Sequence, residues 1–236
     1  MAELLRTHPL QAWSTAFERL PGTVGIAAEP FVAMVDVRLS AEAAARPEAA
    51  ARLGVDLPRV PNSWVPAGAG RAVWLGPDEW LLTSTTEAPE KLEARIRAAV
   101  LPLGGAAADV SAQRIGVRLT GPRARDVLAK GCSIDLHPRV CRRGISVQTT
   151  LGQAGVVLLA LSDAGDDYLV LVRSSFAGYL ADWLVDAALE FTVPTPAGGP
   201  AVRSSAARPD PPALRSGTMP ISPRGHRRSR KSSAPT

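Results

Sequence analysis

Histidine, lysine and cysteine are all scarce in this chain of 236 residues. Its three histidines are His8, His137 and His226, and only His137 falls in a part of the sequence patterned for folding. A Ser–His or Cys–His hydrolase would therefore have one candidate base, placed before Pro138 in an expected loop. The two cysteines, Cys132 and Cys141, are too few for a disulfide framework, and reduced thiols are expected. No apolar run reaches the roughly 18 residues that a membrane-spanning helix needs. Glu3 and His8 interrupt the N-terminal stretch where a signal peptide needs a basic flank and an unbroken apolar run, so a cytoplasmic location is expected.

Nucleotide and metal signatures are missing as well. Gly68 and Gly70 precede a strand instead of following one, which is the wrong order for a pyrophosphate-binding turn. They read as a loop. Cys132, His137 and Cys141, with Asp135 as a possible fourth ligand, lack the paired spacing that zinc favours, and read as packed cysteines beside a loop histidine. Asp78 and Glu79 sit in a Gly-Pro-Asp turn and need no catalytic explanation.

What is present is a globular pattern with a separate tail. Hydrophobic residues make up 46% and charged residues 21%, enough for a sizeable core. The net charge of +5 is uneven: residues 192–236 hold eight basic side chains and one acid, leaving −2 for residues 1–191. The folded part thus gives no electrostatic reason to bind nucleic acid. Pro, Ser and Gly supply 20 of the last 45 residues, which predicts disorder for the basic tail at 192–236. Residues 1–30 read as an N-terminal arm with helical character near 10–20, and residues 31–191 as one domain.

Within 31–191, alternation predicts a strand over 29–39. Ser40 then caps an Ala-rich helix to Leu53, which Pro47 bends or splits. Residues 55–70, with three prolines, read as an irregular crossing. Strands at 71–75 and 79–84 form a hairpin, followed by a helix over 87–100 carrying a Glu93–Arg97 pair. A long strand is expected over 107–119, then a short helix from Gly121 to Gly131 capped by Thr120. Strands at 145–150, 155–161 and 168–173 precede a final helix with the stripe Phe176, Tyr179, Leu180, Trp183, Leu184, Ala187 and Phe191. The order predicts an α+β fold whose first half is a ferredoxin-like split βαβ unit and whose second half is a related layer.

Several segments resemble the gamma subunit of heterotetrameric sarcosine oxidase. They are VWLGPDEWLL (73–82), DVSAQR (109–114), LTGPRARDVLAKGCSIDLHP (119–138), QTTLGQA (148–154) and SFAGYLADWLVDAA (175–188). The resemblance covers most of 60–191 and is looser over 1–59. It implies a fold similar to the folate-binding aminomethyltransferases and a non-catalytic role in an enzyme that demethylates sarcosine to glycine. It further implies that FAD, FMN, NAD and tetrahydrofolate belong to other chains, with none held here, and that the partners are the alpha subunit directly and the beta and delta subunits in the complex. Partner contacts are expected at Trp74, Trp80, Arg114 and Arg123, since interfaces are rich in aromatics and arginine. Arg114, Arg123 and Arg125 read as a cluster near Gly121-Pro122, a helix start able to hold an anion, though exposed arginines are common in this composition and favour the plainer reading. Trp64 is equally open between core and surface. Two other readings stay open. One is a stand-alone folate-binding aminomethyltransferase-like protein, with Asp109 as its only candidate pterin carboxylate. The other is a nucleic-acid binder acting through the tail motif GHRRSRK.

Overall fold

A computed structural model describes residues 7–191. The expectation of a disordered tail lies outside the described residues, as does His226. Two five-stranded antiparallel sheets are stacked face to face, and each carries its helices on its outer face. The architecture is four layers, helix–sheet–sheet–helix, as an α+β reading requires.

One sheet is built from β2 (Ala33–Arg38), β3 (Trp64–Ala67), β4 (Gly70–Gly76), β5 (Glu79–Ser84) and β6 (Ala106–Asp109), in spatial order β3-β4-β5-β2-β6. Its helices are α2 (Ala41–Ala44), α3 (Pro47–Leu53) and α4 (Pro89–Val100). Without β3, this is the split βαβ unit. The Ser40 hydroxyl accepts the Ala43 N–H at the start of α2, and Gly54 ends α3 with φ +73°. Pro47 begins a new helix instead of bending an old one, because proline suits a first turn and disrupts an interior.

The second sheet contains β1 (Gly25–Ala28), β7 (Arg114–Thr120), β8 (Ser146–Leu151), β9 (Ala154–Ala160) and β10 (Asp167–Arg173), in order β1-β7-β10-β9-β8. Outside it lie α1 (Ser14–Glu18), α5 (Ala124–Ala129) and α6 (Ala177–Ala188). The two sheets follow one plan. β2, α2–α3, β3, β4, β5 and α4 correspond in order to β7, α5, β8, β9, β10 and α6. In the first half the next strand, β6, pairs with β2. In the second half the equivalent place beside β7 is taken by β1, from the start of the chain.

That exchange corrects the reading of residues 1–30 as an arm. Leu10, Phe17, Val24 and Ile26 are buried in the same core as α5 and α6. Residues 55–70 are not wholly irregular either: β3 pairs with β4 through a two-residue turn at Gly68-Ala69. Pro66 is tolerated because β3 has no further strand of its sheet on its other side. The long strand expected over 107–119 is two strands in different sheets, β6 and β7. The turn between them is fixed by Asp109, whose carboxylate accepts the Ser111 N–H and hydroxyl at 2.9 and 2.6 Å. Thr120 closes β7 and does not cap α5, whose N-cap position is Arg123.

Between the sheets, Met34, Trp64, Val73, Leu75 and Leu81 meet Val157, Leu159, Leu169 and Leu171. Burial on both faces explains the near-continuous apolar runs of β9 and β10. The sheets are also stitched at one side, where the Trp64 N–H donates to Gly144 O and the Gln148 amide to Leu75 O. The buried face of α6 is Ala177, Leu180, Ala181, Leu184, Ala187 and Ala188. It is rotated from the expected stripe: Phe176 and Tyr179 are exposed and Trp183 is half-buried. On its exposed side, Asp182 accepts the Trp13 indole N–H at 2.7 Å.

Candidate partner-contact site

Trp74 and Trp80 are cross-strand neighbours in the β4–β5 hairpin. Trp80 is 1% exposed, and its indole N–H donates to Pro58 O at 2.8 Å. It anchors the crossing segment to the helix-side core and offers no surface of its own. Trp74 is half-buried against the same core and keeps an accessible edge. Trp64 belongs to the layer between the sheets; its indole donates to Ala160 O at 3.0 Å, and the Arg71 guanidinium lies 5.6 Å from its ring.

Arg114 and Arg123 do not form one cluster. They stand at opposite ends of β7, about 20 Å apart for a strand of this length. Arg123 pairs with Asp126 at 2.8 Å and stacks on Phe191 at 5.4 Å. Lys130 approaches the same ring at 4.8 Å, pairs with Glu190 at 3.1 Å and donates to Ala187 O. Phe191 is thus held by two cations where α6 gives way to the tail. Arg125 makes only a long 3.9 Å approach to Asp126. With Asp126 in its first turn, the start of α5 already has an acid beside it.

At the other end of β7 the charges are denser. Arg38 gathers three carboxylates: Glu79 at 2.7 Å, Asp78 at 3.7 Å and Asp36 at 3.8 Å. Asp78 and Glu79 therefore do more than shape a turn; they tie it to the neighbouring strand β2. Burial, followed by the charge of Asp36, raises the Glu79 carboxyl above its ordinary range, against the pull of Arg38. Arg114 is half-buried, and burial lowers its guanidinium pKa, an effect that Arg173 reinforces and Asp36 and Glu79 oppose.

Two other candidates are committed to local structure. Asp109 lies on the rim of a cleft of about 490 Å³ with Phe31, Glu87 and Glu90, but one of its oxygens serves the Ser111 turn. In the 132–144 loop, Asp135 accepts the His137 N–H at 2.8 Å, and His137 Nδ1 accepts the Arg139 N–H at 3.1 Å. Cys132 and Cys141 are buried free thiols; burial, then Cys132 and Asp135, pushes the Cys141 thiol up. Among the described residues no group of three or more His, Cys, Asp or Glu side chains is placed to hold a metal. Nor is any helix there long and apolar enough to cross a membrane.

The model of the "Sarcosine oxidase, gamma subunit family" matches residues 37–190. The chain belongs to that family. A sarcosine oxidase gamma subunit from Arthrobacter sp. is 37% identical over 196 residues, covering 81% of this chain and 94% of that protein. Another, from Corynebacterium sp. strain P-1, is 34% identical over 171 residues, covering 72% and 82%. In structure, a chain of heterotetrameric sarcosine oxidase from Corynebacterium sp. U-96 matches with a TM-score of 0.72 and 31% identity, over 80% of this chain and 98% of that one. Aminomethyltransferase T of the Bartonella henselae glycine cleavage system shares the fold, with a TM-score of 0.51 at 14% identity over 48% of its length. The fold of this gamma-family chain is therefore the α+β one its element order predicted. Arg173 is the residue the sequence reading passed over. It looked like the polar end of a strand, yet the alternation of β10 places it on the inter-sheet face with Leu169 and Leu171.

Proposed function

We propose that this chain is the non-catalytic gamma subunit of a cytoplasmic heterotetrameric sarcosine oxidase. The observation that carries this reading is the match in both sequence and fold along nearly the whole length of gamma-family relatives. The chemistry of the chain agrees: the two histidines among the described residues, His8 and His137, each accept a nearby backbone N–H, and the candidate carboxylates are bound up in turns and ion pairs. Gly68 and Gly70 serve a hairpin, not a nucleotide. In this reading FAD, FMN, NAD and tetrahydrofolate are held by the other chains, and the alpha subunit is the direct neighbour. Its contact surface includes the free edge of Trp74, together with Arg114 and Arg123, while Trp80 supports the hairpin from beneath. The test is co-expression with the alpha, beta and delta chains. Incorporation at one copy per complex supports the assignment, and an oxidase that assembles without the chain refutes it.

A stand-alone folate-binding protein is less favoured by the geometry. A pterin carboxylate must be free to accept two ring N–H groups, and Asp109 already spends an oxygen on Ser111.

A further inference from the structure

Arg114 opens β7, Arg173 closes β10, and the antiparallel register sets them directly opposite each other. Like charges at such a pair repel. No contact among the described residues relieves that repulsion: neither guanidinium makes a hydrogen bond or ion pair, and Asp36 and Glu79, which favour the charge of Arg114 from farther away, converge with Asp78 on Arg38. Nη1 of Arg114 is buried with no partner at all. Beside the pair opens a cleft of about 190 Å³, walled by Arg114, Arg173, Gln148 and Thr149 over a floor of Val157 and Leu171. The rim at Gly155 is clear, with no atom within 4 Å of where a side chain would begin.

We propose that this cleft is the seat of a carboxylate side chain from a partner subunit, gripped by the two guanidinium groups. The proposal rests on the gamma-subunit reading. Guanidinium forks match carboxylate oxygens two by two, which is the geometry that two facing arginines offer. With Arg38, the pair already faces three carboxylates, so the cluster sums to zero and a monoanion adds less excess charge to it than a dianionic phosphate would. The cleft is smaller than the roughly 300 Å³ at which small-molecule pockets begin, and suits a side-chain tip. The unpaired arginines are thus a cost to the free chain that assembly relieves.

The discriminating experiment compares wild type with Arg173→Gln and Arg114→Gln, both as free full-length chains and in assembly with the alpha, beta and delta chains. Arg173→Gln should weaken association at least about tenfold, while raising the melting temperature of the free chain by about 2 °C through loss of the like-charge pair. A gain in stability with a loss in assembly separates a seat for a partner from a purely structural arginine. Arg114→Gln should weaken association in the same way, whatever it does to stability. Unchanged assembly for both variants, or a marked stability loss for Arg173→Gln, overturns the proposal. Stabilisation of the free wild type, but not of Arg173→Gln, by millimolar acetate makes this a small-molecule site and overturns the partner assignment. If wild type itself fails to join the complex, the gamma-subunit reading falls and takes the seat with it.

Discussion

Tyr168 is fully buried, and its hydroxyl has no hydrogen-bond partner. Burial and then the neighbouring Cys141 push its phenol up to about 12. The unfolded chain loses that proton near pH 10. The native form holds it longer, so stability is intact below about pH 10 and falls as the pH climbs from 10 toward 12. Tyr168→Phe removes both the stranded hydroxyl and the titration. Thermal melts should show the variant as stable as wild type or more so, by up to about 1 kcal/mol, at pH 8. Its advantage should widen at pH 11. Trp80 makes the opposite case, since size and a satisfied N–H both count in its favour. Trp80→Ala should cost the free chain about 3–5 kcal/mol in denaturant unfolding, as aromatic deletions in cores do. A variant of normal stability that only assembles poorly would place Trp80 at an interface after all.

Elements with strong periodicity were legible; those defined by small residues were not. The β4–β5 hairpin, the split at Pro47 and the three strands β8 to β10 all follow from alternation, proline and turn chemistry. The face of α6 was misjudged because Ala177, Ala181 and Ala188 carry much of its contact with the sheet, and alanine gives little amphipathic signal beside Phe176 and Tyr179. β3 was hidden by Pro66. Asp109 and Ser111 could have marked the break between β6 and β7, but an Asx turn looks the same in sequence as a polar residue on a strand face. Gly68 and Gly70 now have separable roles. A Cβ on Gly70 would fall 1.8 Å from Thr83 O, whereas Gly68 has open space but a φ of +53°. Gly68→Ala should cost about 1–2 kcal/mol, the strain of a left-handed residue. Gly70→Ala should cost more, because backbone of two paired strands must separate. Denaturant unfolding that ranks them the other way would contradict the assigned register.

For the whole molecule, the first split βαβ unit was readable from element order and the second was not, because its last place is filled from the other end of the chain. Gly25–Ala28 is too short and too small-sided to announce itself as a strand, and its partner β7 begins some ninety residues later in sequence. Partner contacts were the least legible, since surface and core tryptophans share one composition signal and an unpaired arginine is visible only once its neighbours are placed. Deleting residues 7–28 would remove Leu10, Phe17, Val24 and Ile26 from the core and expose the edge of β7. Such a truncation should leave the chain insoluble or molten by circular dichroism, where loss of a mere arm would leave the melt unchanged. The central claim, a non-catalytic subunit, is tested most directly by purifying the tagged chain twice, alone and after co-expression with the alpha, beta and delta chains, and assaying flavin absorbance and sarcosine-dependent peroxide. The account predicts a colourless, inactive chain alone and a flavin-bearing, active complex containing one copy of it. A chain that alone binds flavin or folate at unit stoichiometry and turns over sarcosine would contradict it.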